Sequence, residues 1–271
     1  MSLRRQATLI GGHGFVGRYL VEHLRATGWI CEVIARNDKK IPLRHLGHVF
    51  YCAGLTADFR ERPFDTVEAH VSYLAQWLKF GEFDSLTYLS STRVYANAAS
   101  TSESVNLLVN PVVAGDLYNL SKLMGESLCL QSARPVHIAR LSNVYGLQMP
   151  EQNFLAEILS AAARVKSVRF RSAPESEKDY ISVYDVVDAL PRIALDGESG
   201  IFNLASGVNV SNQMIADSLT AAGVVCQFEP DAPLIKYPRI NTQKIEIKFG
   251  SRTCDLAQDL PGLLQYYGEA I

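Results

Sequence analysis

The 271-residue sequence contains no run of about 18 apolar residues, so it offers no candidate membrane-spanning helix. It also lacks a dominant charge. Its 26 Lys and Arg against 28 Asp and Glu leave a formal net charge of −2, which gives no basic footprint for nucleic acid. Cysteine is sparse. Cys31, Cys52, Cys129, Cys226 and Cys254 are odd in number and scattered, without metal-ligand spacing. They read as reduced thiols of a cytoplasmic protein, with neither a disulfide framework nor a metal site. No internal repeat and no low-complexity linker is visible. Arg4 and Arg5 precede an apolar stretch in the manner of a signal peptide. Gly11, Gly12 and Gly14 interrupt that stretch at once, and Ala7–Ile10 reads instead as a buried strand. The expectation is a cytoplasmic protein with no nucleic-acid and no membrane partner.

What is present is an ordinary globular composition, 48% hydrophobic and 20% charged, in a chain able to bury one large core or two modest ones. Short apolar segments alternate with amphipathic ones. Strands are predicted at Ala7–Gly11, Cys31–Arg36, His48–Ala53, Leu86–Ser90 and Val136–Leu141. Helices are predicted at Phe15–Thr27, stopped by Gly28, at about Thr66–Phe80, and at Tyr118–Ser132. Strands alternating with helices predict an α/β fold built on a doubly wound parallel sheet. Asn37–Gly47 has hardly room for a crossover and none for a further strand–helix pair, so the second strand should lie at or near a sheet edge. Residues 1–150 form the expected nucleotide-binding core. Residues 151–271 form a mainly substrate-binding region, with about 179–206 returning to the core.

Gly11-Gly12-His13-Gly14-Phe15-Val16-Gly17 follows a strand and opens a helix. Gly11 permits a sharp turn, Gly14 a close approach of backbone to a pyrophosphate, and Gly17 close packing of helix on strand. Unpaired N–H groups at the helix start, including those near Phe15 and Val16, suit phosphate. His13 reads as a bystander. At the tip of the second strand an acidic residue would favour NAD, and a nearby arginine a 2′-phosphate. Here Ala35-Arg36-Asn37 carries no carboxylate, though Asp38 follows before Lys39 and Lys40. Arg36 therefore points to NADP(H) over NAD(H).

Tyr118 and Lys122 are four residues apart, on one face of a helix. A phenol with its ordinary pKa near 10 is a poor acid–base group at neutral pH; a neighbouring ammonium would lower it. Upstream, Leu89-Ser90-Ser91-Thr92-Arg93-Val94-Tyr95 ends a strand with three consecutive hydroxyls, which could hold a carbonyl or alkoxide beside the phenol or could equally be a capping cluster.

Together these segments resemble the extended short-chain dehydrogenases/reductases, in their nucleotide-sugar epimerase/dehydratase branch. The resemblance runs from about Thr8 to Ser206. It is carried by the glycine loop, Cys52-Ala53-Gly54, the Ser-Ser-Thr-Arg-Val-Tyr segment, Tyr118 with Lys122, and Arg140-Leu-Ser-Asn-Val-Tyr-Gly146. Lys178-Asp-Tyr-Ile-Ser-Val-Tyr-Asp-Val187 and Phe202-Asn-Leu-Ala-Ser-Gly207 add to it. It implies a Rossmann-type fold with a small C-terminal substrate region. Tyr118 would be the acid–base residue, Lys122 would bind the nicotinamide ribose and tune Tyr118, and Ser91 would be the catalytic hydroxyl. Ala53, Gly54 and Ser90 would join the glycine loop at the cofactor. Ser91, Thr92 and Arg93 would face the substrate, Asn143 and Lys178 would contact its diphosphate, and Arg239 would be a later phosphate ligand. Dehydratases of the branch carry Asp and Glu where this chain has Thr92 and Arg93, which disfavours water elimination.

The resemblance leads to an NAD(P)-dependent ketoreductase or epimerase of a nucleotide-linked sugar. A small-molecule carbonyl reductase and a non-catalytic dinucleotide-binding protein are the alternatives. A homodimer is expected through the helices Thr66–Phe80 and Tyr118–Ser132, with Tyr73, Trp77, Leu78, Leu123 and Leu128 offering apolar area.

Overall fold

The computed structural model describes residues 5–35, 41–56, 58–196, 198–250 and 254–269. The chain begins with β1 (Gln6–Ile10), α1 (Phe15–Ala26), β2 (Ile30–Ile34) and β3 (His48–Tyr51). A helical run follows in three parts: α2 (Pro63–Val67), a π-helical turn (Glu68–Ser72) and α3 (Tyr73–Phe80). Then come β4 (Ser85–Ser91), a 3₁₀ turn (Thr92–Tyr95), α4 (Asp116–Gln131) and β5 (Val136–Leu141). The second half holds β6 (Asn143–Tyr145), α5 (Phe154–Val165), β7 (Ser167–Phe170), β8 (Glu177–Ser182), α6 (Val183–Ala194) and β9 (Gly200–Leu204). It ends with β10 (Asn209–Ser211), α7 (Asn212–Ala221), β11 (Val225–Phe228), α8 (Gln243–Phe249) and α9 (Leu256–Glu269).

Six parallel strands form the main sheet in the order β2-β1-β3-β4-β5-β9. β4 and β5 are buried almost throughout, as strands covered on both faces must be. On one face α1 and α6 bury Leu20, Leu24, Val186 and Leu190 against Phe50, Leu89 and Ala139. On the other, α3 and α4 bury Leu74, Trp77 and Cys129 against Tyr51, Tyr88 and Ile138. α1 stops at Gly28, whose φ of +86° is a left-handed conformation that glycine adopts without a steric penalty.

β2 is the edge strand, as the short segment after it predicts. Its hydrogen-bonded span is Ile30–Ile34 rather than Cys31–Arg36, and Arg36 lies outside the described residues. Among the described residues 41–47 there is no helix, only a bridge between His45 and Glu82.

The remaining strands make two small sheets, β10-β8-β6 and β11-β7. α5, α7 and α9 enclose a second apolar cluster beside them, including Leu155, Leu159, Ile215, Leu219, Leu256 and Leu260. α6 and β9 belong to the main layer, one in its core and one in its sheet. Phe15, in the first turn of α1, packs against both clusters.

Two expectations change. The helix predicted from Thr66 begins at Pro63 and carries the π turn within it. Trp77 and Leu78, expected to offer area to a second copy, are buried in this chain's own core; Tyr73 and Leu128 pack against that core and Leu123 against a smaller cluster around Val94. Among the described residues no helix is long and apolar enough to cross a membrane, and no cluster of three metal-ligating side chains occurs.

Candidate active site

The glycine loop folds so tightly that a side chain is excluded at Gly11 and at Gly17. Gly11 has φ +83°, and a Cβ there would lie 2.7 Å from the Ala53 backbone nitrogen. A Cβ on Gly17 would lie 2.4 Å from the Gly11 carbonyl oxygen. The loop therefore brings the start of α1 down onto β1 and the Cys52–Gly54 segment, as the motif requires. Gly14 is the residue preceding α1, with extended backbone. No side chain caps the helix and no carboxylate stands in its first turn, so its N–H groups face outward unopposed. This cradle suits a dinucleotide pyrophosphate.

Ser91 ends β4, where the chain leaves the sheet's carboxyl edge for the 3₁₀ turn. Tyr118 stands in the first turn of α4, buried, and its phenol faces the Ser91 hydroxyl. Ser91 Oγ also accepts the Arg93 N–H at 3.2 Å. Burial raises the Tyr118 pKa above 10, while the neighbouring Ser91 hydroxyl and the Arg93 charge pull it back down. The Arg93 guanidinium carbon lies 5.5 Å from the centre of the Tyr118 ring. In this geometry Arg93 is the cation acting on the phenol.

Lys122, one helical turn on, is also buried. Its Nζ donates to the Leu89 carbonyl at 2.9 Å and lies 5.9 Å from the Tyr118 ring centre. Desolvation brings its pKa down to about 7, against an upward pull from Glu126 and Cys52. Besides the donor given to Leu89, the amine retains N–H capacity for a ligand hydroxyl. A Cβ on exposed Gly54 would lie 3.4 Å from that Nζ. The lysine thus sits just beneath the Cys52–Gly54 backbone, against which the glycine loop packs.

A histidine that the motifs do not point to completes this corner. His70 lies in the π turn, wholly buried. Its Nε2 accepts the Leu55 N–H at 3.2 Å, so Nδ1 carries the proton and donates to Ser121 Oγ at 2.8 Å. Ser121 in turn donates to the Tyr118 carbonyl at 2.9 Å. One imidazole therefore ties the loop after Gly54 to the first turn of α4. Burial and the Lys122 charge press its pKa down to about 2, which fixes it as neutral. The π turn leaves backbone carbonyls free of the helical ladder; Tyr51 Oη donates to Ala69 O at 2.6 Å and Tyr88 Oη to His70 O at 3.4 Å.

Ser90, expected at the cofactor, is buried and donates to Glu126 Oε1 at 2.5 Å. Glu126 forms a buried ion pair with Arg140, whose Nη1 donates to Tyr95 Oη at 2.6 Å; Tyr95 Oη donates to Asn203 Oδ1 at 2.7 Å. This network fastens α4, β5 and β9 together behind the site. Thr92 is buried in the 3₁₀ turn. Lys178 and Asn143 come from adjacent strands β8 and β6, and Asn143 Nδ2 donates to the Asp179 carbonyl at 2.8 Å. Lys178 Nζ packs 4.3 Å from the Phe154 ring centre; burial, then the Arg93 charge, lowers its pKa. Arg239 is exposed and donates to the Gly207 carbonyl, away from the Ser91–Tyr118 pair in its contacts.

The sequence pattern of the NAD dependent epimerase/dehydratase family matches residues 44–205. The chain belongs to that family. A curated relative, the dTDP-D-glucose 4,6-dehydratase of Dictyostelium discoideum, is 22% identical over 163 residues, 54% of this chain but only 37% of that protein. Among solved structures, MoeE5 in complex with UDP-glucose and NAD superposes with a TM-score of 0.83 at 19% identity, covering 98% of this chain and 99% of that one. RMD from Pseudomonas aeruginosa complexed with NADPH gives 0.80 at 20%, covering 97% and 99%. UDP-glucuronic acid 4-epimerase from Bacillus cereus, with UDP-glucuronic acid and NAD, gives 0.81 at 16%, covering 98% and 99%. At these identities the superpositions establish a shared fold.

Proposed function

We propose that this family member is an NAD(P)-dependent oxidoreductase, a ketoreductase or epimerase, acting at a carbonyl or carbinol carbon of a nucleotide-linked sugar. The observation that carries the reading is Tyr118, buried beside Lys122, with its phenol facing the half-buried Ser91 hydroxyl next to the glycine cradle. A bound nicotinamide would supply or accept the hydride. Ser91 holds the substrate oxygen, and Tyr118 gives or takes its proton at Oη. Arg93 favours the phenolate in that exchange, and Lys122 orients the cofactor ribose. Asn143 and Lys178 hold the diphosphate from the C-terminal side, residues 151–271 serving mainly the substrate. With Arg93 rather than a carboxylate facing Tyr118, water elimination lacks its acid.

The test is Tyr118→Phe, which removes one hydroxyl and keeps the packed ring. Dinucleotide binding, followed by cofactor fluorescence, should persist, while turnover falls about 10²–10⁴-fold. Full activity in Tyr118→Phe would refute the mechanism.

The finer features belong to the same proposal. NADP(H) is preferred through Arg36, the protein is cytoplasmic, and it pairs as a homodimer. Phe64, Val67 and Met124 are among the exposed apolar residues of α2, α3 and α4 that support pairing.

A further inference from the structure

Beside the Ser91–Tyr118 pair the chain gathers positive charge that its own carboxylates do not neutralise. Arg93 and Arg60 stack on one buried ring, Phe59, at 5.1 and 4.7 Å. A Cβ built on Gly115, immediately before α4, would lie 3.3 Å from Arg93 Nη2 and 3.7 Å from Arg60 Nη2. The two guanidinium groups thus converge on one spot. Among the described residues neither makes an ion pair. Three nearby carboxylates, Asp58, Asp65 and Asp116, are engaged elsewhere. Asp58 and Asp65 both pair with Arg62, at 3.1 and 2.6 Å. Asp116 accepts from the Asn110 N–H at 2.8 Å and from Asn119 Nδ2 at 3.0 Å. Two like charges held together repel, and a fold tolerates this most readily where an anion comes to relieve it.

We propose that Arg93 and Arg60 form a subsite for a carboxylate on the sugar ring, so that the substrate is a nucleotide-linked sugar acid. The inference rests on the nucleotide-sugar reading above. Position argues for the sugar rather than the diphosphate. Arg93 follows Ser91 by two residues and stacks on Tyr118, so what it reaches belongs to the same ring as the reacting carbon. In the proposed function the diphosphate falls to Asn143 and Lys178 on β6 and β8, although the Arg93 charge also reaches Lys178, so the nucleotide-only controls below decide between the two ends of the substrate. A neutral hexose offers only hydroxyls to two guanidinium forks, whereas a carboxylate accepts paired, charge-assisted hydrogen bonds from them.

The experiment compares kcat/KM for matched UDP- and dTDP-linked hexoses and hexuronates, with UDP and dTDP alone as binding controls, in the wild type, Arg60→Gln and Arg93→Gln. The wild type should prefer the hexuronate by about ten- to hundred-fold, the worth of a charge-assisted contact. Each substitution should lower the hexuronate-to-hexose ratio at least about tenfold. Arg60 is exposed, so Arg60→Gln carries the test if Arg93→Gln does not fold. An unchanged ratio in Arg60→Gln, or a wild type that turns over the neutral hexose as well or better, overturns this inference and leaves the nucleotide-sugar reading intact. So does a loss of UDP or dTDP binding as large as the loss of hexuronate, which would place the arginines at the diphosphate. Turnover of neither sugar in either nucleotide series overturns both readings.

Discussion

His70 makes the folded chain vulnerable to acid in a way that can be calculated. In the native state it is neutral, with its pKa pressed from the ordinary 6.5 to about 2 by burial and by Lys122. In the unfolded chain it titrates normally. Below pH 6.5 the unfolded state therefore binds one more proton than the native state, and stability falls as pH falls. Each pH unit below that point costs about 1.4 kcal/mol, so between pH 7 and pH 5 His70 alone should remove about 2 kcal/mol. The perturbation is His70→Asn, whose side-chain oxygen can still accept the Leu55 N–H but does not titrate. The variant is expected to be less stable at pH 7, because the Ser121 contact is altered, yet to lose about 2 kcal/mol less than the wild type on going to pH 5. His48 and His137, whose pKa values burial also lowers, are present in both proteins and cancel in the difference. Urea denaturation at the two pH values, with the m-value checked for constancy, measures it. Parallel pH profiles for the two proteins would show that His70 is free to protonate in the native state, and the proposed hydrogen-bond direction from Leu55 through Ser121 to Tyr118 would be wrong.

Three further outcomes are expected. Lys122 has the same pH signature in a higher window: its native pKa of about 7 lies below the ordinary 10.5, so the unfolded state again holds more protons between those values and stability rises with pH. Wild-type stability measured against Lys122→Met should gain about 2 kcal/mol from pH 7 to pH 9, and a flat difference would refute the buried-amine assignment. Gly17→Ala drives a methyl against the Gly11 carbonyl; it should cost about 1–3 kcal/mol in urea denaturation and weaken dinucleotide binding, whereas unaltered binding would remove the close approach from the argument. Glu126→Gln leaves the Arg140 charge buried without its partner and should destabilise by about 3–5 kcal/mol. A loss below about 1 kcal/mol, the worth of a surface pair, would show the pair to be solvated.

Much of this protein was legible in its sequence because the determinants are local. The glycine loop declares itself by spacing, since a turn, a helix start and a close helix–strand contact must follow one another within seven residues. The buried parallel strands show as short apolar runs, and the brevity of Asn37–Gly47 puts β2 at the edge. Tyr118 and Lys122 share a helix face by arithmetic. The same arithmetic extends to Glu126, the next residue at that spacing, which points into the buried pair with Arg140.

Tertiary structure decided what depends on residues far apart in the chain. His70 had only the weak signal of a polar residue inside an apolar helical run, and nothing local says that it bonds Leu55 and Ser121. Phe59 and Arg60 stand in a loop of no recognisable motif; they meet Arg93 and Gly115 only because the chain after β3 folds across the start of α4. Ser90 and Ser91 are neighbours of one chemical type, and the sequence treats them alike. The alternation of a strand sends Ser90 inward to Glu126 and Ser91 outward to Tyr118. Local sequence specifies which groups can do the chemistry, through spacing and backbone freedom. Which of them meet, how deeply they are buried and what charge they carry arise only when the sheet and its helices bring distant segments into one low-dielectric corner.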